Sequence, residues 1–194
     1  MRDLPNNLFF DLRRLKHLGP GAIVGMAVRI RRPEEAIIGA CSIIDDFTYI
    51  SCAIEMGAYS HIASNVTIAG GGAKVRIGEF CGIAAGSSIH AISSDYISAS
   101  FELPSIPEGY RSGGEAQDVD IADHVLIGAH SVVMPGVRLP EGFACTSHTA
   151  IRRRQYEPWT LYGGYDCRRL TRREHQDAIE RAAALKRSLA QRPS

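Results

Sequence analysis

Among the seven histidines of the chain, His90 is singled out by its surroundings: the small-residue bend Gly86, Ser87, Ser88 precedes it, and Ser94, Asp95 and Tyr96 follow. Imidazole titrates near neutrality, so a histidine beside a carboxylate can take a proton from a hydroxyl as it attacks an electrophile. Asp95 can act as the base itself or orient the histidine, and Ser94 and Tyr96 can line an acceptor pocket. His61 and His124 read as surface and turn residues. The five cysteines, at positions 41, 52, 81, 145 and 167, are odd in number and lack CxxC spacing. They read as buried free thiols, not as a disulfide framework or a zinc knuckle.

What must position these residues is a repeat of six. From Ile38 the chain divides into IGACSI, IDDFTY, ISCAIE, MGAYSH, IASNVT and IAGGGA, each opening on an apolar residue, with a small or apolar residue usually four places later. The phase resumes at Ile77, Ile83 and Ile89 and returns at Ile121, Ile127, Val133, Leu139, Cys145 and Ile151. Neither the 3.6-residue helical period nor the two-residue strand period keeps one position inward every six residues. Short strands joined by bends do, three to a triangular coil, with coils stacked through parallel backbone hydrogen bonds. Fifteen sixes then give five coils. His130 and His148, eighteen residues apart, stack one coil apart, but two ligands do not make a metal site, and none is expected.

The repeat breaks twice. Nine residues separate Ile68 from Ile77, with the extra length in Gly70, Gly71 and Gly72, and the phase is lost from about residue 90 to about residue 120. Both breaks fall in the third six of successive coils, so they lie above one another on one corner. A long insertion in a solenoid is where a site is built. Tyr96, Phe101, Leu103, Ile106 and Tyr110 offer it apolar anchors.

Twenty-two Lys and Arg against twenty-one Asp and Glu leave no global field for nucleic acid or an anionic membrane. The N-terminal charges interrupt any signal-like apolar run and no stretch reaches membrane-spanning length, so a cytoplasmic protein without a membrane span is expected.

The blocks HIASNVTIAGGGAKVRIGEFCGIAAGSSI, SSDYISASFELPSIPEGY, IADHVLIGAHSVVMPGVRLPEG and WTLYGGYDCRRLTRR follow one another in order. Over residues 22–173 they resemble the hexapeptide-repeat acyltransferases, most of all the O- and N-acetyltransferases of surface-polysaccharide and lipopolysaccharide biosynthesis. The resemblance implies an all-β solenoid, a left-handed parallel β-helix, assembled as a homotrimer. It implies acetyl-coenzyme A as donor and a sugar or nucleotide-sugar as acceptor, with the long loop walling the acceptor pocket between subunits. O-acetylation of a surface-polysaccharide sugar is the first expectation. N-acetylation of a nucleotide-linked amino sugar and a non-catalytic trimeric scaffold are the alternatives.

The family's usual histidine falls here on Ser94, which leaves His90 with Asp95 as the expected catalytic pair and slightly favours an amine acceptor, since a neutral amine demands less of a base. The resemblance places the pantetheine arm beside Gly128, Ala129, Ser147 and Thr149. It places the nucleotide phosphates on Arg152, Arg153 and Arg168, whose planar guanidinium suits them. The family's proline in the closing turn is replaced by Asp166.

Three segments are expected: an N-terminal helical cap over 1–21, the β-helix over 22–156, and a closing turn and helix over 157–194. Leu8, Leu12 and Leu15 suggest a short helix within residues 5–18, and Thr171 with Glu174 suggests a capping box that starts a second helix running to about Gln191.

Overall fold

The computed structural model describes residues 7–97 and 101–190. Residues 5 and 6 of the expected first helix, residues 98–100 of the excursion and Gln191 at the end of the expected second helix lie outside the described residues.

Short parallel strands form three faces of a prism. The first face stacks His17–Leu18, Ala36–Ile38, Ala53–Met56, Lys74–Ile77, Val119–Ile121 and Arg138–Leu139. The second stacks Ile23–Val24, Ile43–Ile44, His61–Ile62, Gly82–Ile83, Leu126–Ile127, Ala144–Cys145 and Thr160–Gly163. The third stacks Arg29–Ile30, Tyr49–Ile50, Thr67–Ala69, Ser88–His90, Val132–Val133 and Ala150–Ile151. Among the described residues this makes six complete coils and the first part of a seventh, one more at the start than the five expected. The extra coil is led by Leu18, Val24 and Ile30. It escapes the sixfold count because Pro33–Glu35 form a 3-10 turn that lengthens the step to Ile38.

Register explains the periodicity. Ile44 pairs with Ile62, Ile62 with Ile83, and Ile83 with Ile127, so each inward aliphatic sits on the one below. These side chains are almost wholly shielded from solvent, and each such burial stabilises by about 1.5–3 kcal/mol. The small residue four places on is often a buried hydroxyl. Ser60 Oγ donates to the Gly78 carbonyl at 2.8 Å and accepts the Cys81 N–H at 2.9 Å, tying one coil to the next where the chain turns. Residues at the bends, among them Cys41, Tyr59, Phe80, His124, His130 and His148, hold positive φ despite their side chains, a conformation costing about 1–2 kcal/mol per residue.

Both ends are plugged, though the N-terminal one not by the helix that the leucine spacing suggests. The N-terminal segment is not an α-helix. Only Leu12–Arg14 form a 3-10 turn, because Asn7 Oδ1 takes the N–H groups of Phe9 and Phe10 and Asp11 takes that of Arg13, side-chain bonds that compete with helix formation. Phe10 and Leu15 enter the core, whereas Leu8 stays exposed. At the other end Phe143 stacks on Tyr162 at 5.1 Å, and Tyr156 meets both rings edge-on. Thr171 does not cap a helix: it lies in the strand Arg168–Arg172, which returns antiparallel along Thr160–Gly163. Among the described residues the single α-helix is Gln176–Ala190, tethered to the prism by the ion pair of Lys186 with Glu79. No helix among the described residues is long and apolar enough to cross a membrane.

Candidate active site

The corner that joins the third face to the first carries every break of the repeat, in layers. Arg32, from the lowest turn, donates to the Gly71 carbonyl and reaches the Ser51 carbonyl at 3.4 Å, with Glu35 paired to it at 3.1 Å. Above it the chain at Gly70 passes so close to Cys52 and Ala91 that a Cβ would lie 2.9 Å from the first and 3.0 Å from the second. Gly71, at φ +53°, would meet Ile92 in the same way. The glycine stretch is thus the floor on which the excursion is rooted. The root is a two-stranded antiparallel ribbon, Ile92–Ser93 with Glu115–Ala116.

Beyond the ribbon the loop is held by polar contacts. The Asp95 N–H donates to both Glu102 carboxylate oxygens, at 2.9 and 3.1 Å, and Asp95 Oδ1 accepts the Ile97 N–H at 2.9 Å. Arg111 donates to the carbonyls of Ile106 and Pro104 at 2.6 and 2.8 Å. Of the five expected apolar anchors, Tyr96, Phe101, Leu103 and Tyr110 are exposed within one chain, and Ile106 alone is half-buried.

Between floor and loop lies a cavity of about 820 Å³ lined by Gly71, Gly72, His90, Ser94 and Tyr96 together with Glu102, Arg111, Val132 and Met134. Its volume suits a small organic ligand. His90 ends the strand Ser88–His90 and is half-buried, and burial pushes its imidazole below the usual range, so the neutral, proton-accepting form dominates near neutrality. Of the four residues expected at this corner, His90, Ser94 and Tyr96 face one cavity. Asp95 lies in the turn between them with its carboxylate turned to the loop backbone. Glu102 and Arg111 carry no periodic signal in the sequence, because the loop that contains them has no repeat to place them.

The small residues assigned to the pantetheine arm divide into two pairs. Gly128 gives its N–H to Cys145 at 3.1 Å and accepts Ser87 Oγ at 3.1 Å, and a Cβ on it would meet the Thr146 and Ser147 backbone at 2.4 and 2.5 Å. Thr149 is buried, its N–H on Ser131 Oγ and its hydroxyl on the Thr146 carbonyl at 2.8 Å. Gly128 and the Thr149 N–H thus bond to the neighbouring coil, while the Thr149 hydroxyl bonds within its own. Ala129 and Ser147 keep their N–H groups outside that ladder at the surface of the bend.

The three arginines do not converge. Arg152 lies over the Tyr165 ring at 5.0 Å and Arg168 pairs with Asp166 at 3.1 Å, so each contacts the closing turn through its own partner. Arg153 turns to the other corner, where it donates to Gln117 Oε1 at 2.9 Å. Arg154, not anticipated, donates to the Cys167 carbonyl and covers Tyr156.

His130 and His148 stack at 5.2 Å with 12° between their planes, and His61 meets Asp45 at 2.8 Å. Among the described residues no group of three or more His, Cys, Asp or Glu is placed to hold a metal ion. Four cysteines are buried while Cys41, on a bend, is exposed, against the expectation of five buried thiols. Burial pushes the Cys52 and Cys81 thiols up to about 11, far from nucleophilic thiolates at neutral pH.

No protein-family profile matches the chain. It is 34% identical over 113 residues to dTDP-4-amino-4,6-dideoxy-D-glucose acyltransferase of Escherichia coli, covering 56% of this chain and 57% of that protein. It is 28% identical over 122 residues to a chloramphenicol acetyltransferase of Agrobacterium fabrum (strain C58), covering 56% of each. The chain therefore spans little more than half the length of these two relatives in the matched region. Among solved structures, AntD, an N-acyltransferase from Bacillus cereus in complex with dTDP and 3-hydroxybutyryl-CoA, superposes with a TM-score of 0.83 at 26% identity, over 94% of this chain and 98% of that one. A variant of AntD was solved with dTDP-4-amino-4,6-dideoxyglucose and coenzyme A and superposes at 0.82. A hexapeptide-repeat acetyltransferase from Vibrio cholerae shares the fold at 20% identity, with a TM-score of 0.54. The chain has the hexapeptide-repeat acyltransferase fold, the left-handed parallel β-helix.

Proposed function

We propose that this chain is a coenzyme A dependent acyltransferase whose acceptor is a nucleotide-linked amino sugar. The observation that carries the reading is the cavity at the excursion corner, which sets His90, Ser94 and Tyr96 above a glycine floor. It gains support from the AntD structures, in which the same fold holds coenzyme A forms and dTDP or a dTDP-amino sugar. We favour the amine acceptor over the first expectation, O-acetylation of a surface-polysaccharide sugar, because AntD is an N-acyltransferase solved with a dTDP-amino sugar and the Escherichia coli relative is named for one.

In this reading the sugar amine attacks the thioester carbonyl carbon, with His90 taking the proton that the nitrogen loses as the C–N bond forms. The C–S bond then breaks, and the proton passes to the departing thiolate to give an amide and free coenzyme A. A neutral, half-buried imidazole suits the first step. Ser94 and Tyr96 orient the sugar, and Asp95, with its N–H held by Glu102, fixes the turn that carries them. The donor lies along the bends at Ala129 and Ser147, its phosphates on Arg152 and Arg168. Acetyl is the acyl group, the working form is a homotrimer, and the compartment is the cytoplasm.

Acetyl transfer should be measured to dTDP-4-amino-4,6-dideoxyglucose and to its 4-hydroxy counterpart, with thermal stabilisation by acetyl-coenzyme A as a binding readout. Transfer to the amine confirms the reading. Transfer to the hydroxyl sugar alone restores O-acetylation, and no stabilisation by the donor makes the chain a scaffold.

A further inference from the structure

We infer that Arg153 is a positioning residue for the acceptor loop, bracing its root from the last coil, rather than a reader of donor phosphate. The inference rests on the reading that the acceptor binds at the excursion corner. Its observations are independent of that reading. Arg153 Nη1 donates to Gln117 Oε1 at 2.9 Å and lies 3.7 Å from the Glu115 carboxylate, and Gln117 Nε2 donates to the same carboxylate. Glu115 belongs to the ribbon strand whose partner, Ile92–Ser93, runs directly into Ser94 and Asp95. A charge-assisted bond is thereby placed two steps from the cavity wall.

The backbone makes room for this bridge. Gly136, at φ +71°, lies beneath it, and a Cβ there would sit 1.9 Å from Gln117 Oε1 and 3.2 Å from Arg153 Cδ. The bridge crosses a bend at which only glycine leaves space. Arg152, next in the chain, goes to Tyr165 on the opposite side. Two adjacent arginines thus serve the two ends of the proposed site, Arg152 the donor and Arg153 the acceptor loop.

The experiment is amide hydrogen exchange on the ligand-free full chain, with donor and acceptor titrations, for Arg153→Ala, Arg153→Lys and Gln117→Met. Arg153→Ala and Gln117→Met should speed exchange at residues 92–93 and 115–116 about tenfold, as expected when a local opening loses one charge-assisted bond. Acetyl-coenzyme A affinity should change less than about twofold and the acceptor KM should rise about tenfold, with kcat nearly kept. Arg153→Lys should restore most of the protection. Unchanged exchange overturns the inference, as does a loss of acetyl-coenzyme A affinity in Arg153→Ala equal to that in Arg152→Ala. Because exchange is read without substrate, failure to find an acceptor would overturn the proposed function and leave this result standing.

Discussion

The Gln117 N–H donates to the Ala91 carbonyl at 2.9 Å, closing the excursion at its root, so the prism continues as if the intervening residues were absent. Val75 and Val119, on either side of the insertion in sequence, are direct partners in adjacent coils.

From this closure it follows that the loop is dispensable for folding, and the proposed function makes it necessary for chemistry. Replacing residues 94–114 with a short glycine-containing turn should leave the circular dichroism spectrum and the cooperative melt nearly intact, since loop length alters stability only weakly. Turnover should fall by at least about a hundredfold. A chain that no longer folds would show the excursion to be part of the core.

His90→Ala should lower turnover by about a hundredfold to ten-thousandfold while acetyl-coenzyme A binding persists. The pH dependence has a defined sign. Burial lowers the His90 pKa, so the base stays neutral to lower pH than free imidazole, and kcat/KM should rise with pH through a value under about 6.5. In stability the unfolded chain binds the proton first, so the wild type should lose stability relative to His90→Gln as pH falls below about 6.5 and gain none above it. Parallel melting curves of the two proteins from about pH 8 to about pH 5 would contradict this.

The donor end should respond to Arg152 and Arg168 together. The double change to Ala should weaken acetyl-coenzyme A about tenfold or more, with less effect on dephospho-coenzyme A, because charge-assisted contacts to phosphate are lost. Isothermal titration of both ligands checks it, and equal losses would remove these arginines from the ribose phosphate.

Gly142→Ala tests the aromatic corner. Tyr59 stacks on Phe80, Phe80 on His124 and Trp159 on His175, and Gly142 lets Trp159 reach His124 at 5.3 Å. A Cβ on Gly142 would lie 2.2 Å from the indole, at a φ of +67°. The variant should lose about 1–3 kcal/mol and shift the emission of the single tryptophan. An unchanged melt and spectrum would show that the ring has another place to go.

The repeat, the faces and the shared corner of the interruptions were legible in the residues, because an aliphatic every six places has one way to be buried and phase is kept through any insertion that closes on itself. Where short-range bonds set the outcome, patterning misled. Asn7 and Asp11 drew the N-terminal backbone away from a helix that Leu8, Leu12 and Leu15 suggested, and Thr171 entered a strand because the top of the prism offered an unpaired edge. Nor did spacing show that Gly128 and the Thr149 N–H bond to the neighbouring coil.

What sequence alone determined, then, was the solenoid and the height of its breaks along it, since both follow from local periodicity. Only the tertiary structure decided which polar groups meet there. Glu102 reaches Asp95, and Arg153 crosses to Gln117 while Arg152 turns to Tyr165, because contacts between an aperiodic loop and distant coils depend on side-chain direction and closure, which no spacing encodes.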